Sequence, residues 1–159
     1  MEKAVGDDSP SIRFMPPVVF WLCLLAGGLA SWLMPWRMNL FAEAWRIALG
    51  AGLTLAGFSF MMWGHGIFKD RGVNVYTNLS ACELVSQGAY RFSRNPMYVG
   101  FLAILPGIGM AMGSYWMMMS ILPMFLYLAF YVVPREEAYL TRAFGEDYLI
   151  YRRAVRRWL

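Results

Sequence analysis

RNPMYVGFLAILPGIGMAMGSYWMMMSILPMFLYLAFYVVPREE, residues 94–137, decides the fold. From Met97 to Val133 it carries no charge at all. That run is too long for one crossing of a bilayer, which takes about 20 residues. The chain must therefore cross and return, and Gly113–Ser114 supply the turn. The return brings Arg94-Asn95-Pro96 and the acidic pair Glu136–Glu137 back to the same membrane face. Two polar clusters meeting at one water–lipid boundary make a candidate site, and the expectation is a cofactor pocket there.

Composition agrees with a membrane protein. Of the chain, 59% is hydrophobic and 15% charged, against roughly 25% charged in a soluble domain. The net charge of +4 comes from bases that flank apolar spans and make no basic face on a soluble module, so no nucleic-acid partner is expected. Cys23 lies in an apolar run and Cys82 in a polar loop, so no disulfide is expected. The N-terminal segment lacks the basic region of a signal peptide, and the first apolar stretch is read as a true helix.

Outward from the opening stretch, the reading is all-α: a single domain over 1–159, with about four transmembrane helices and a C-terminal amphipathic helix in the interface. The expected spans are 18–34, 47–68, 97–112 and 115–133. Residues 1–15 are expected to be weakly ordered. Pro16–Pro17 suit a helix start, and Trp32, Trp36 and Trp45 suit a headgroup belt. Gly50, Gly52, Ala56 and Gly57 would let a neighbouring helix approach closely, without a clean GxxxG spacing. Pro106 with Gly107 and Gly109 predicts a kinked or partly unwound third span, and Pro123 a kink in the fourth. Tyr148, Tyr151, Val155 and Trp158 recur near helical spacing among four arginines, the pattern of a basic interfacial helix.

Counting bases orients the chain. The N-terminal segment, the central loop over residues 69–94 and the tail after Val133 hold most of them, while Arg37 and Arg46 alone fall on the other side. The positive-inside rule puts both termini in the cytoplasm. The expected location is a multi-pass protein of the bacterial inner membrane, in contact with the lipid bilayer and an amphiphilic small-molecule substrate.

The two clusters would combine Arg91, Arg94 and Arg135 with Asn95, the phenols of Tyr90 and Tyr98, and Glu136 and Glu137. Such a set suits a zwitterionic, partly aromatic cytosolic molecule. S-adenosylmethionine fits, with a fork for its carboxylate and a Glu for its ammonium or ribose hydroxyls, although composition alone does not choose it over a nucleotide. The bland reading has Arg94 snorkelling, Asn95-Pro96 starting a helix and the glutamates in surface pairs. His65 is read as packed or interfacial, and no metal is expected.

LVSQGAYRFSRNPMYVG at 84–100, followed by EEAYLTRAFGEDYLIYRRAV at 136–155, resembles the membrane methyltransferases related to isoprenylcysteine carboxyl methyltransferases and phosphatidylethanolamine N-methyltransferases. The resemblance covers about the last 90 residues of the chain and implies an S-adenosylmethionine-dependent transferase with a cofactor region at 84–100 and 134–158. By position, Gly88 and Tyr90 would line the approach. Arg94, Asn95, Pro96 and Tyr98 would form one wall, Glu136 and Glu137 the other, and Tyr148 and Tyr151 would help close the pocket. Glu137 and Arg135 are the candidate catalytic residues, with Glu137 or Glu136 taking the proton if the acceptor is an amine.

Two positions depart from the carboxyl methyltransferases. Asn95 stands where they typically have His, which excludes proton transfer there. Val132 stands where they tend to have Arg, which weakens the case for a prenylcysteine carboxylate. The alternatives are a non-catalytic scaffold that kept the fold, or a sterol-reductase-like membrane oxidoreductase.

Overall fold

The computed structural model describes Pro10, residues 12–70 and residues 83–159. Cys82, Arg71 and most of the acidic N-terminal segment lie outside the described residues. The elements in order are α1 (Pro16–Leu33), α2 (Glu43–Asp70), a 3-10 turn (Gly88–Arg91), α3 (Pro96–Met112), α4 (Tyr115–Met119), α5 (Ile121–Tyr127), a π-helical segment (Leu128–Val132), α6 (Val133–Phe144) and α7 (Glu146–Ala154). Extended pairing is confined, among the described residues, to one isolated antiparallel bridge between Arg37 and Ser114. The protein is an all-helical membrane bundle.

Three helices are long and apolar enough to cross a bilayer: Pro16–Leu33, Glu43–Lys69 and the composite Tyr115–Phe144. The third expected span is shorter, 17 residues in α3, or ~25 Å at 1.5 Å per residue. Its length is compatible with a thinned or polar-ended crossing. Pro106 lies inside α3 and the helix continues through it, so the expected unwinding does not occur.

The fourth span behaves differently. It breaks at Ser120, between α4 and α5. Pro123 has no N–H for the carbonyl of residue 119 and its ring crowds that carbonyl. Ser120 closes the break by donating to Met117 O at 2.6 Å. Pro134 repeats the effect: its missing N–H would have bonded Phe130, and the π-helical segment ends just before it. Helix then runs on to Phe144, well past the expected end at 133.

Glycines set the closest packing. α2 lies against α3, and Gly50, Gly57 and Gly64 recur every seven residues along the seam. A Cβ on Gly57 would stand 2.7 Å from Ala103 Cβ and 3.0 Å from Gly100 O. One on Gly50 would stand 2.6 Å from Gly107 O, and one on Gly100 2.7 Å from Gly57 O. A heptad of small residues on both helices lets the backbones touch. Gly52 faces open space and takes no part.

On the other side of α3 lies the main core. Phe20 and Cys23 of α1 meet Tyr98, Ile104 and Leu105 of α3 and Met124, Leu128 and Val132 of the last span. Phe20 stacks on Phe101 at 4.8 Å. Ile12 is buried in the same core, Tyr127 donates its hydroxyl to Phe14 O, and Arg13 N donates to Tyr131 OH at 3.4 Å. The residues just before α1 are therefore held down, contrary to the weak order expected there. Outward faces carry exposed Trp21, Leu22, Leu25, Leu29, Leu55 and Phe58. Apolar side chains outside and small residues inside is the pattern that lipid as solvent permits.

Candidate active site

Pro96 opens α3, and a residue before proline is pushed out of the helical region. Asn95 accordingly sits at φ −131° and ψ 53°, and its side chain makes no helix cap. Its amide Nδ2 reaches instead to Arg157 O at 2.9 Å. The neighbours do the same: Arg94 N donates to Arg156 O at 2.9 Å and Ser93 Oγ to Arg157 O at 3.3 Å. Residues 93–95 thus grip the tail by its backbone carbonyls. This is why α7 stops at Ala154 and Val155 turns extended, at φ −123° and ψ 135°. Val155 and Trp158 are not part of the helix that their spacing suggested.

Holding the tail there delivers Arg157 to Glu137. Arg157 Nε donates to Glu137 Oε1 at 2.9 Å and its Nη2 to Oε2 at 2.6 Å, a bidentate fork. Arg94 Nη1 lies 2.8 Å from the same Oε1 and also donates to Tyr148 OH at 3.2 Å. The side chains of Arg94 and Glu137 are 9% and 10% exposed. A buried guanidinium, Arg94, and a partly exposed one, Arg157, thus share one carboxylate, and one positive charge is in excess. Arg94 Nε is buried with no hydrogen-bond partner. A buried cationic donor left unpaired is costly, and a ligand oxygen would relieve it.

One residue along α6, Glu136 Oε1 accepts from Tyr98 OH at 2.6 Å, on the side of the bundle core. The acidic pair therefore divides its work: Glu137 faces the arginines and Glu136 faces α3.

A cluster of Val85, Tyr90, Tyr148 and Tyr151 seats α7 against the 3-10 turn and the end of α2. Tyr151 OH donates to Tyr90 O at 2.8 Å. Burial raises the pKa of the Tyr148 phenol, and the Glu137 carboxylate adds to the effect. Burial likewise raises Tyr90 and Tyr151. These phenols stay protonated, which suits donors and walls and not bases. The fork to Glu137 raises Arg157.

Of the residues predicted from sequence, Arg94, Asn95, Glu137 and Tyr148 meet in one cluster, with Tyr98 and Glu136 adjoining it and Tyr90 and Tyr151 beside it. Gly88 and Pro96 act through the backbone. Gly88 sits at φ +57°, where a Cβ would run into Ile67, and Pro96 packs on Gly64, 3.0 Å from a Cβ placed there. Arg135 stands apart. It is exposed on α6, 3.8 Å over the Tyr131 ring and donating to Tyr131 O at 3.2 Å. Val132 is fully buried in the core. Arg157 and Ser93 escaped the sequence reading. Arg157 belongs to a run of similar arginines, and only the long-range grip on the tail singles it out.

A membrane helical bundle with a buried charge cluster at one end is the class that this fold and site define. A family model described as phospholipid methyltransferase matches residues 45–147, well over half of the chain. The chain belongs to the phospholipid methyltransferase family, a family of membrane methyltransferases. No curated protein and no solved structure matches it. The matched segment runs from α2 to the start of α7 and holds Arg94, Asn95, Tyr98, Glu136 and Glu137. Tyr148, Tyr151 and Arg157 lie just beyond it.

Proposed function

We propose that the protein is an S-adenosylmethionine-dependent methyltransferase that modifies a lipid-like or isoprenoid-bearing amphiphile, at a carboxylate or an amine, at the membrane face holding Glu137. The observation that carries this reading is the unpartnered Nε of buried Arg94 beside a carboxylate shared by two arginines. The cluster has one spare buried cationic donor and one strong acceptor, a complement to the amino-acid end of the cofactor. Arg94 would hold its carboxylate, and Glu137 its ammonium or ribose hydroxyls, with Arg157 giving up part of its fork. Bound there, the cofactor supplies a methyl group on a sulfonium, already activated for displacement.

The protein's own task is alignment and exclusion of water. Tyr148 and Tyr151 close one side of the cluster, and the core face of α3 and α6 offers an apolar approach for the acceptor. Glu137 is engaged by the Arg157 fork and the Arg94 ion pair. Glu136 has Tyr98 as its hydrogen-bond partner, so it is better placed to take the proton of an amine acceptor. A carboxylate acceptor would need no base. Arg135, at the exposed rim, would attract an acidic amphiphile and take no part in the transfer itself.

Calorimetric titration of the detergent-purified protein with S-adenosylhomocysteine tests the reading. Micromolar binding that disappears in Glu137→Ala and in Arg94→Ala is expected. Absence of binding by wild-type protein of native helicity would overturn the proposal in favour of a scaffold that kept the fold. Glu136→Gln should keep S-adenosylhomocysteine binding and lose transfer to an amine; transfer at the wild-type rate would remove Glu136 from the mechanism.

A further inference from the structure

At the opposite end of the α2–α3 pair lies a cavity of about 340 Å3, lined by Arg37, Asn39, Phe41, Glu43, Arg46 and Gly113 among others. No other Lys or Arg occurs between residues 14 and 68, nor between residues 95 and 134. Arg37, in the loop between the first two helices, and Arg46, in the first turn of α2, thus both line one cavity.

Arg46 has a structural task. Its Nη1 donates to Met110 O at 3.1 Å and Ala111 O at 2.7 Å, closing the carbonyl end of α3. Gly113, at φ +65°, has no room for a Cβ beside this guanidinium. Glu43 stands 3.9 Å from Arg46 Nη2, with its own side chain 80% exposed, a loose pair that leaves the carboxylate mostly in water.

Arg37 has no such task. Among the described residues its side chain has no hydrogen-bond or ion-pair partner, yet its backbone is fixed. It bridges Ser114, while Met38 N donates to Gly113 O at 2.8 Å and Tyr115 N to Trp36 O at 3.1 Å. The exposed Arg37 side chain, without a protein partner among the described residues, thus lines a preformed cavity on a fixed backbone. With Arg46 and Glu43 the lining carries one net positive charge, which matches a monoanion.

The surroundings identify the source of that anion. At the same end of the bundle Trp32, Trp36 and Trp45 are exposed, as are Leu40 and the cavity-lining Phe41. Tryptophans with apolar neighbours at a helix end mark the headgroup level of a bilayer, the depth at which lipid phosphates lie.

We propose that this cavity binds the phosphodiester of an anionic phospholipid: the Arg37 fork and Asn39 amide hold the phosphate, Glu43 accepts from headgroup hydroxyls, and the acyl chains lie along the exposed apolar faces of α1 and α2. This site is separate from the Glu137 cluster, and its occupant is an annular lipid and not the acceptor.

Native mass spectrometry of the full chain in detergent tests it, with phosphatidylglycerol, phosphatidylethanolamine and phosphatidylcholine of matched chains. Phosphatidylglycerol should be retained at about tenfold lower concentration than phosphatidylcholine, the scale of one charged bidentate contact. Arg37→Gln should abolish that preference, whereas Arg153→Gln at the other end should leave it. Equal retention of the three lipids by the wild type, or an undiminished preference in Arg37→Gln protein of native helicity, overturns the proposal. A matching arm adds inorganic phosphate. If millimolar phosphate displaces phosphatidylglycerol fully and binds equally well alone, the site takes a free ion and the lipid assignment fails.

Discussion

Glu137 accepts two N–H donors from Arg157 and pairs with Arg94 at 2.8 Å, and this determines how each partner will respond to substitution. Glu137→Gln leaves the buried Arg94 guanidinium without its counter-charge, a loss of about 3–5 kcal/mol by analogy with other broken buried pairs. Arg157 is 38% exposed on its side chain, so solvent screens its contribution, and Arg157→Ala should cost about 1 kcal/mol or less. Thermal unfolding in detergent would separate the two. Equal losses would mean that the Arg94 pair is not the buried one. Arg157→Lys keeps the charge and loses the fork. S-adenosylhomocysteine affinity in that variant tells whether the fork or only the charge organises Glu137. The meeting of Arg94 and Asn95 with the acidic pair was legible, because an uncharged double crossing must return its ends to one face. The division of work between Glu136 and Glu137 was not. It depends on which side of α6 each glutamate occupies, and a helix start displaced by Pro134 and a π-helical segment sets that phase.

Among the elements, the α2–α3 seam gives the sharpest contrast. Gly57→Val would drive side-chain atoms into Ala103 and the Gly100 carbonyl, whereas Gly52→Ala enters open space. The first should disrupt the pair, seen as lost helicity or aggregation in detergent. The second should stabilise α2 by about 1 kcal/mol through helix propensity. If both behave alike, the close approach is not real. The small residues were visible in the sequence, but which of them meet α3 was not. The seven-residue spacing of Gly50, Gly57 and Gly64 selects the seam, and Gly52 falls off it by two positions. The tail carries the opposite lesson. Its amphipathic period runs on to Trp158, yet hydrogen bonds from residues 93–95 to the tail's carbonyls, some sixty positions away in sequence, end the helix at Ala154. Local periodicity cannot register so distant a competitor. Removing residues 155–159 should therefore leave the spans helical by circular dichroism and abolish S-adenosylhomocysteine binding. A truncated chain that bound normally would show that the tail is dispensable for the cluster.

Across the whole molecule, charge divides between the two ends of the bundle. The Glu137 cluster, the 3-10 turn and the tail occupy one end with most of the basic residues, while Arg37 and Arg46 stand at the other. Translocation disfavours basic loops, so the end rich in arginine should be the cytoplasmic one. Exposed Trp32, Trp36 and Trp45 would then mark the far headgroup layer. In a chain with Cys23→Ser and Cys82→Ser, Asn39→Cys should react with a membrane-impermeant maleimide in intact cells. Arg152→Cys, exposed on α7, should react only after the membrane is broken. The reverse pattern would invert the protein and place the Glu137 cluster away from cytosolic S-adenosylmethionine, removing the source of methyl groups that the proposed reaction needs. Reaction of both from outside would mean that α3, at ~25 Å, does not complete a crossing. The expected asymmetry would leave the cofactor and the anionic lipid on opposite faces, with the α2–α3 glycine seam between them.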